Sequence, residues 1–348
     1  INTLGMINSG SWLFGYDIEP GKLQESLDKT LLSYSVFTGR CIGTGIGYDV
    51  DSKGPQIDFA ESNAASSDIT GLFRLPAALK ADLDLRSFRN GHTFPLSIKV
   101  IKLADSTTLL SIAASHSCCD GATLYRFVND WARTFRGAPI EKPLFDQTLL
   151  PSLTDSKEEL MKILPAEGWY PVSLKALFSH IGDEVREIGH KEPETFFLPG
   201  VKSNAEVCKI LSERAGNDPA FIYVVDMRGR CMPETFCGNA VANLQDISIL
   251  YDCARLSRFF KLNLESMQSK MPFTGFDLNA IGGSKPKAFM VNNFCRFPIY
   301  GPDFGSGTPL KAYPNDLPDT IKVWPGAPSE NGVHLILRGN ARKLAEQR

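Results

Sequence analysis

Apolar residues recur along this chain in two rhythms, and the switches between them mark out its elements. Leu23, Leu27 and Leu31 with Tyr34 share one face at helical spacing and predict an amphipathic helix from about Pro20 to Tyr34. Val36 to Gly43 then reads as a strand. Leu96 to Leu103 alternates, Leu109 to Ser115 is almost wholly apolar, and Ala104-Asp105-Ser106 between them has turn character, so the pair predicts a hairpin. Beyond it, Leu124, Phe127, Val128 and Trp131 return to helical spacing, so a strand gives way to a helix across residues 116–121. In the second half, Phe221 to Asp226 predicts a strand and Ile247 to Leu262 a helix with Leu250, Ala254 and Phe259 toward the core. Ala288 to Phe294 predicts another strand. From Gly137 to about Glu194 the periodicity fades while Pro139, Pro143, Pro151, Pro165 and Pro171 accumulate, which predicts a crossover joining two halves.

Composition narrows the class. With 348 residues, 43% hydrophobic and 22% charged, the chain can bury one large core or two of ordinary domain size. A net charge of -2 gives no electrostatic case for nucleic acid or an acidic membrane surface, so any phosphate-binding patch must be local. Charge runs such as Asp155 to Glu159 read as solvated faces. Cys41, Cys118, Cys119, Cys208, Cys231, Cys237, Cys253 and Cys295 show neither paired metal-ligand spacing nor the density of a small disulfide scaffold, which suits free thiols in a reducing cytosol. No stretch approaches the roughly 20 apolar residues of a membrane span. The first ten residues lack the basic and apolar regions of a signal peptide. A cytoplasmic monomer without a metal is the expectation.

Candidate chemistry concentrates at His116-Ser117-Cys118-Cys119-Asp120-Gly121, where the apolar strand ends. An imidazole with a pKa near 6.5 can take a proton from a hydroxyl or amine at neutral pH. Asp120 and Gly121 fall at the turn, where a carboxylate can pair with a cation and glycine can supply an unusual backbone angle; Asp120 reads as a brace rather than a proton acceptor. The competing reading is a structural histidine at a strand end. With five His and 29 Gly in the chain, a His-x-x-x-Asp-Gly match arises by chance in about one such sequence in forty, so a second signal is needed. Cys118 and Cys119 raise the possibility of a thiol nucleophile, but no second histidine or basic partner is evident in sequence, and buried cysteines are mostly inert.

The second signal is Asp303-Phe304-Gly305-Ser306-Gly307, which follows Asn292-Asn293-Phe294-Cys295-Arg296-Phe297-Pro298-Ile299-Tyr300-Gly301-Pro302. The two segments in this order resemble the BAHD superfamily of acyl-CoA-dependent acyltransferases. Ser35-Val36-Phe37-Thr38-Gly39-Arg40, Val225-Asp226-Met227-Arg228-Gly229-Arg230, Phe236-Cys237-Gly238-Asn239-Ala240 and Val323-Trp324-Pro325-Gly326-Ala327-Pro328 agree with it, spread over nearly the whole chain. The resemblance implies an α/β fold of two related chloramphenicol-acetyltransferase-like domains with a channel between them. On this chain they would be residues 1–137, a crossover at 138–194, and residues 195–348. It implies acyl-CoA as co-substrate, no permanently bound cofactor, and a small hydroxyl- or amine-bearing acceptor from secondary metabolism.

Roles follow from the same resemblance, position by position. His116 matches the general base that deprotonates the acceptor for direct attack on the thioester, with no covalent acyl-enzyme. Asp120 matches an aspartate that points away from the channel and pairs with an arginine, Arg228 first and Arg230 second. Gly121, Asp303, Gly305 and Gly307 would support the site structurally. Asn292, Asn293 and Phe294 stand where many relatives have Thr-Ser-Trp, so Asn292 would hold the developing oxyanion and Phe294 would line the acceptor pocket. Arg296 would reach an acidic acceptor or form a structural ion pair. Lys202 and Ser203 match a segment near the coenzyme's phosphates or pantetheine, with an ordinary helix cap by Ser203 as the other reading.

The chain departs from the family in three ways. Ser306 stands where the usual pentapeptide has tryptophan, which touches local packing more than chemistry. The segment linking the two motifs is shorter than usual. The chain also opens on Ile1, without the strand that normally precedes this point, as a fragment or trimmed variant would. Two alternatives remain: a condensation-type domain using carrier-protein thioesters, which typically has a histidine where Ser115 stands, and a non-catalytic ligand-binding relative.

Overall fold

The computed structural model describes residues 7–42, 45–47, 53–150, 170–171, 192–201, 203–215, 220–244, 273–274, 288–315 and 320–346. Its first compact unit takes residues 1–145 together with Thr235–Asn239 and Phe297–Asp316. The second takes Asp146–Glu234, Ala240–Arg296 and Leu317–Arg348. The sequence boundaries at 137 and 195 cut the chain once on each side of a crossover. The units instead exchange segments, because Phe297–Asp316 holds a strand and an aromatic side chain that complete the first unit.

The predicted hairpin is present as Leu96–Lys102 and Thr108–Ser115, antiparallel, with Ile98 opposite Ile112. All eight residues of Thr108–Ser115 are buried, as a strand covered on both faces requires. On its other side runs Ile7–Phe14, also antiparallel, with Ile7 opposite Ser115 and Trp12 opposite Leu110. Lys311–Tyr313 and Ile57–Glu61 form the two edges of this five-stranded sheet. One face carries Leu13, Leu109, Ile101 and Tyr313 against Ile69, Leu75 and Leu79. On the opposite face, the Trp12 ring meets Tyr125 edge-on at 5.9 Å.

The helix expected from Pro20 spans Pro20–Leu31, with Pro20 in its first turn and the Glu19 side chain accepting from the amide of Lys22. Leu23, Leu27, Leu31 and Tyr34 are all buried, as their spacing predicts. The strand expected over Val36 to Gly43 is shorter among the described residues: Ser35–Phe37 is a 3₁₀ turn and Arg40–Ile42 is strand. Phe37 is drawn inward there, its ring 5.0 Å from that of Phe127 and stacked 6.2 Å from Tyr34, and a tight turn serves that packing better than an extended chain.

The second unit carries a six-stranded sheet in the order Val241–Leu244, Ala220–Asp226, Ala288–Asn293, Thr320–Pro325, Gly332–Leu337, Glu194–Pro199. The central strand Ala288–Asn293 is parallel to both of its neighbours, and the outer pairs are antiparallel. Its core gathers Val291, Ile321, Val323 and Leu335 beneath Val207 and Leu211 of the helix Asn204–Ala215. The helix read over Ile247 to Leu262 lies outside the described residues, as does most of the proline-rich crossover. Among the described residues no helix is long and apolar enough to cross a membrane.

Candidate active site

His116 stands one residue beyond the strand Thr108–Ser115, at the start of a turn that feeds the helix Gly121–Phe135. The turn closes with the amide of Cys118 donating to the carbonyl of Ser115. Asp120 is the helix N-cap: its extended backbone and its carboxylate, which accepts from the amide of Thr123 at 2.9 Å, satisfy a helix-end donor that would otherwise lack a partner. Asp120 is 1% exposed, so the carboxylate faces inward and braces the turn. Gly121 is the first helical residue.

A second brace comes from far along the chain. Asn239 Nδ2 donates to the backbone carbonyl of His116 at 2.7 Å. Beside it, Thr123 Oγ1 and the backbone of Gly238 exchange two hydrogen bonds of 3.0 Å, and the amide of Asp120 donates to the Gly238 carbonyl. The segment carrying Gly238 and Asn239 is in turn fixed to Leu144, whose amide donates to Thr235 and whose carbonyl accepts from Cys237. His116 is thus held by its main chain. The side chain is half-buried, with Nδ1 shut off from solvent and without a hydrogen-bond partner among the described residues.

The thiols beside it are poorly suited to attack. Cys118 is 3% exposed and burial pushes its pKa up to about 12, with the Ser117 hydroxyl offsetting part of that rise. Cys119 is fully buried. Among the described residues no disulfide joins these two or Cys41, Cys208, Cys231, Cys237 and Cys295, and Cys253 lies outside the described residues. Among the described residues no group of His, Cys, Asp and Glu could hold a metal ion.

The 303–307 segment forms a clasp in the first unit. Asp303 Oδ1 accepts from the amides of Gly305 and Gly307 at 2.8 and 2.9 Å, and Oδ2 accepts from Arg136 Nη1 at 2.9 Å. Burial pulls the Asp303 pKa upward, but the two amides and the guanidinium together hold it below the ordinary carboxylate value. Gly305 and Gly307 lie at φ of +105° and +116°, backbone angles that L side chains rarely adopt. Phe304 between them is 3% exposed and meets the rings of Phe14, Trp131 and Phe135 edge-on at 5.3–5.5 Å. Ser306, in the place of the family's tryptophan, is exposed.

The remaining candidates lie on the second unit. Asn292, half-buried, is next to last in the central strand, opposite Val224 on one side and Lys322 on the other. Phe294 is 3% exposed with its ring 5.2 Å from Trp324, so the packing of this unit holds it. Arg296 is exposed, and no ion pair of it is found among the described residues. Arg228 Nη1 pairs with Asp226 Oδ1 at 2.8 Å, while Arg230 Nη1 donates to the Asp226 carbonyl. Burial, and after it the positive charge of Arg296, lowers the Arg230 pKa, so Arg296 and Arg230 share a positive field. Ser203 forms a reciprocal cap with Glu206: its amide and hydroxyl donate to Glu206 Oε2 and its Oγ accepts from the Glu206 amide. A coenzyme phosphate at that position would have to displace a carboxylate. Lys202 lies outside the described residues.

Sequence reasoning marked the segment 236–240 but gave Asn239, Gly238 and Thr123 no role. The separation of 123 residues between Asn239 and His116 leaves no local signal from which to read the contact.

Comparison with known proteins points one way. The model of the Transferase family matches residues 17–167. The fatty alcohol:caffeoyl-CoA acyltransferase of Arabidopsis thaliana is 23% identical over 92% of this chain and 84% of its own length. The rosmarinate synthase of Plectranthus scutellarioides is 23% identical over 82% of this chain and 76% of its own. Among solved structures, TRI101 of F. sporotrichioides complexed with coenzyme A and T-2 shares the fold with a TM-score of 0.65. It is 14% identical, covering 99% of this chain and 93% of that one.

Proposed function

The chain belongs to the BAHD superfamily of acyl-CoA-dependent acyltransferases, and from that premise we propose that it transfers an acyl group from acyl-CoA to a hydroxyl or amine of a small acceptor, with His116 as general base. The observation that carries the residue assignment is the doubly braced turn. Asp120 caps the following helix, Asn239 holds the His116 carbonyl, and the imidazole is left half-exposed at the end of a buried strand.

His116 takes the acceptor's O–H or N–H proton as the acceptor atom bonds to the thioester carbon. The carbonyl oxygen becomes an oxyanion; as its double bond re-forms the C–S bond breaks, and the imidazolium returns the proton to the departing coenzyme A thiolate. No acyl-enzyme forms, which accords with the buried, high-pKa thiol of Cys118. Asn292 is the oxyanion donor in this reading, since it lies next to last in the central strand of the second unit and is half-buried. Arg296, exposed and sharing a positive field with Arg230, favours an acceptor bearing a carboxylate. Asp303, Gly305 and Gly307 act on stability.

Thiol release from acetyl-, malonyl-, coumaroyl- and long-chain acyl-CoA with pooled alcohols and amines tests the reading. The expected result is acceptor-dependent release in the wild type that falls by about a hundredfold or more in His116→Ala; a wild-type rate no greater than that of His116→Ala removes the role of His116. Arg296→Ala is expected to raise KM about tenfold or more for carboxylate-bearing acceptors and to leave neutral ones unchanged, as loss of a charge-assisted hydrogen bond would.

A further inference from the structure

We infer that Asn239 is a positioning residue for the base: it spans His116, holding the main-chain carbonyl with Nδ2 and taking the ring's Nδ1–H on Oδ1, and so fixes the tautomer whose Nε2 is free to accept the acceptor's proton. The inference deepens the proposed function and rests on it. Three observations meet at this residue. Asn239 Nδ2 donates to His116 O at 2.7 Å, so the amide is anchored against the histidine's own backbone, and the orientation of the carboxamide is set: reversed, its oxygen would face another oxygen. The other end of that carboxamide, Oδ1, is buried and has no hydrogen-bond partner among the described residues. His116 Nδ1 is buried without a partner as well.

These two atoms are complementary. One is an obligatory acceptor and the other becomes a donor as soon as the imidazole carries its proton on Nδ1. A buried carbonyl oxygen and a buried ring nitrogen are each costly to leave unsatisfied, so the arrangement favours the state in which they meet, directly or through one water. Catalytic hydrogen bonds are often long in a free enzyme and tighten with substrate. The segment is also rigid enough for the task, since Gly238 next to Asn239 is locked to Thr123 by two hydrogen bonds and Cys237 to Leu144 by another.

The test reads the tautomer directly. In uniformly ¹⁵N-labelled protein the chain's five histidines give separable ring signals, and His116→Gln identifies the one that matters. Neutral His116 is expected to be Nδ1-protonated in the wild type and to become mixed or Nε2-protonated in Asn239→Ala. kcat in Asn239→Ala is expected to fall about a hundredfold with KM changed less than threefold. Asn239→Asp keeps an oxygen for Nδ1–H and puts a negative charge beside the ring. It is expected to retain the Nδ1–H tautomer and to move the acid limb of the kcat/KM profile to higher pH, because the imidazolium persists further up the scale. An Nε2-protonated His116 in the wild type overturns the inference, as does an Nδ1–H signal unchanged in an Asn239→Ala protein that still melts cooperatively. A wild type with the expected tautomer dependence but no transfer with any acyl-CoA would overturn the proposed function and leave the role of Asn239 standing.

Discussion

At the scale of single residues, a carboxylate can matter through what it holds rather than what it transfers. Asp303 ties two glycine amides and Arg136 into one turn and thereby seats Phe304 among Phe14, Trp131 and Phe135. Asp303→Ala is expected to destabilise the protein by about 1–2 kcal/mol at neutral pH, after allowance for partial exposure, as measured by urea unfolding. The pH dependence follows from the sign of the shift. The folded pKa lies below the ordinary 3.8, so the stabilisation is complete above the unfolded value and drains away as pH falls through the folded one. The gap between wild type and Asp303→Ala should therefore be constant from neutral pH to about pH 5 and close below pH 4. Phe304→Ala, by contrast, should cost about 3–5 kcal/mol at every pH, because a buried ring has no proton to gain.

At the scale of elements, the N-cap of the helix Gly121–Phe135 joins stability to the site. Asp120→Ala removes the acceptor for the Thr123 amide and is expected to cost about 1 kcal/mol or more. Asp120→Asn keeps an acceptor at that position and is expected to cost less; equal losses in thermal melts would show that charge, not capping, is what Asp120 supplies. This helix and the one at Pro20–Leu31 could be read from sequence because Leu124, Phe127, Val128 and Trp131, or Leu23, Leu27 and Leu31, repeat at one period and are buried on one face. The strand Ile7–Phe14 could not be read that way. Asn8, Ser9, Gly10 and Ser11 break its apolar run, yet it lies inside the sheet because Ser11 Oγ finds Ser111 Oγ at 2.8 Å on the neighbouring strand. His116 and Asp120 were legible as a motif, whereas the Asn239 brace depends on a hydrogen bond between residues 123 positions apart, and no local pattern encodes that. The Ser203 hydroxyl was open to two readings in sequence, and in the fold it exchanges reciprocal bonds with Glu206.

At the scale of the whole molecule, the two compact units are not two consecutive stretches of chain. Residues 1–145 lack the edge strand Lys311–Tyr313, the Phe304 anchor and the Asn239 brace, all of which belong to their unit. A fragment ending at Phe145 is expected to show no cooperative melt, and hydrogen exchange should find the amides of Thr108–Ser115 unprotected in the fragment but protected in the full chain. A ribosome makes this chain in order. Phe14, Trp131 and Phe135 leave the exit tunnel long before Phe304, their partner, has been made. At about 5–20 residues per second, the wait between Phe145 and Asp316 is on the order of ten to thirty seconds. Throughout that interval the sheet lacks its edge strand Lys311–Tyr313 and the aromatic nest lacks Phe304, so apolar surface that the finished fold covers stays open to water until the last pieces arrive.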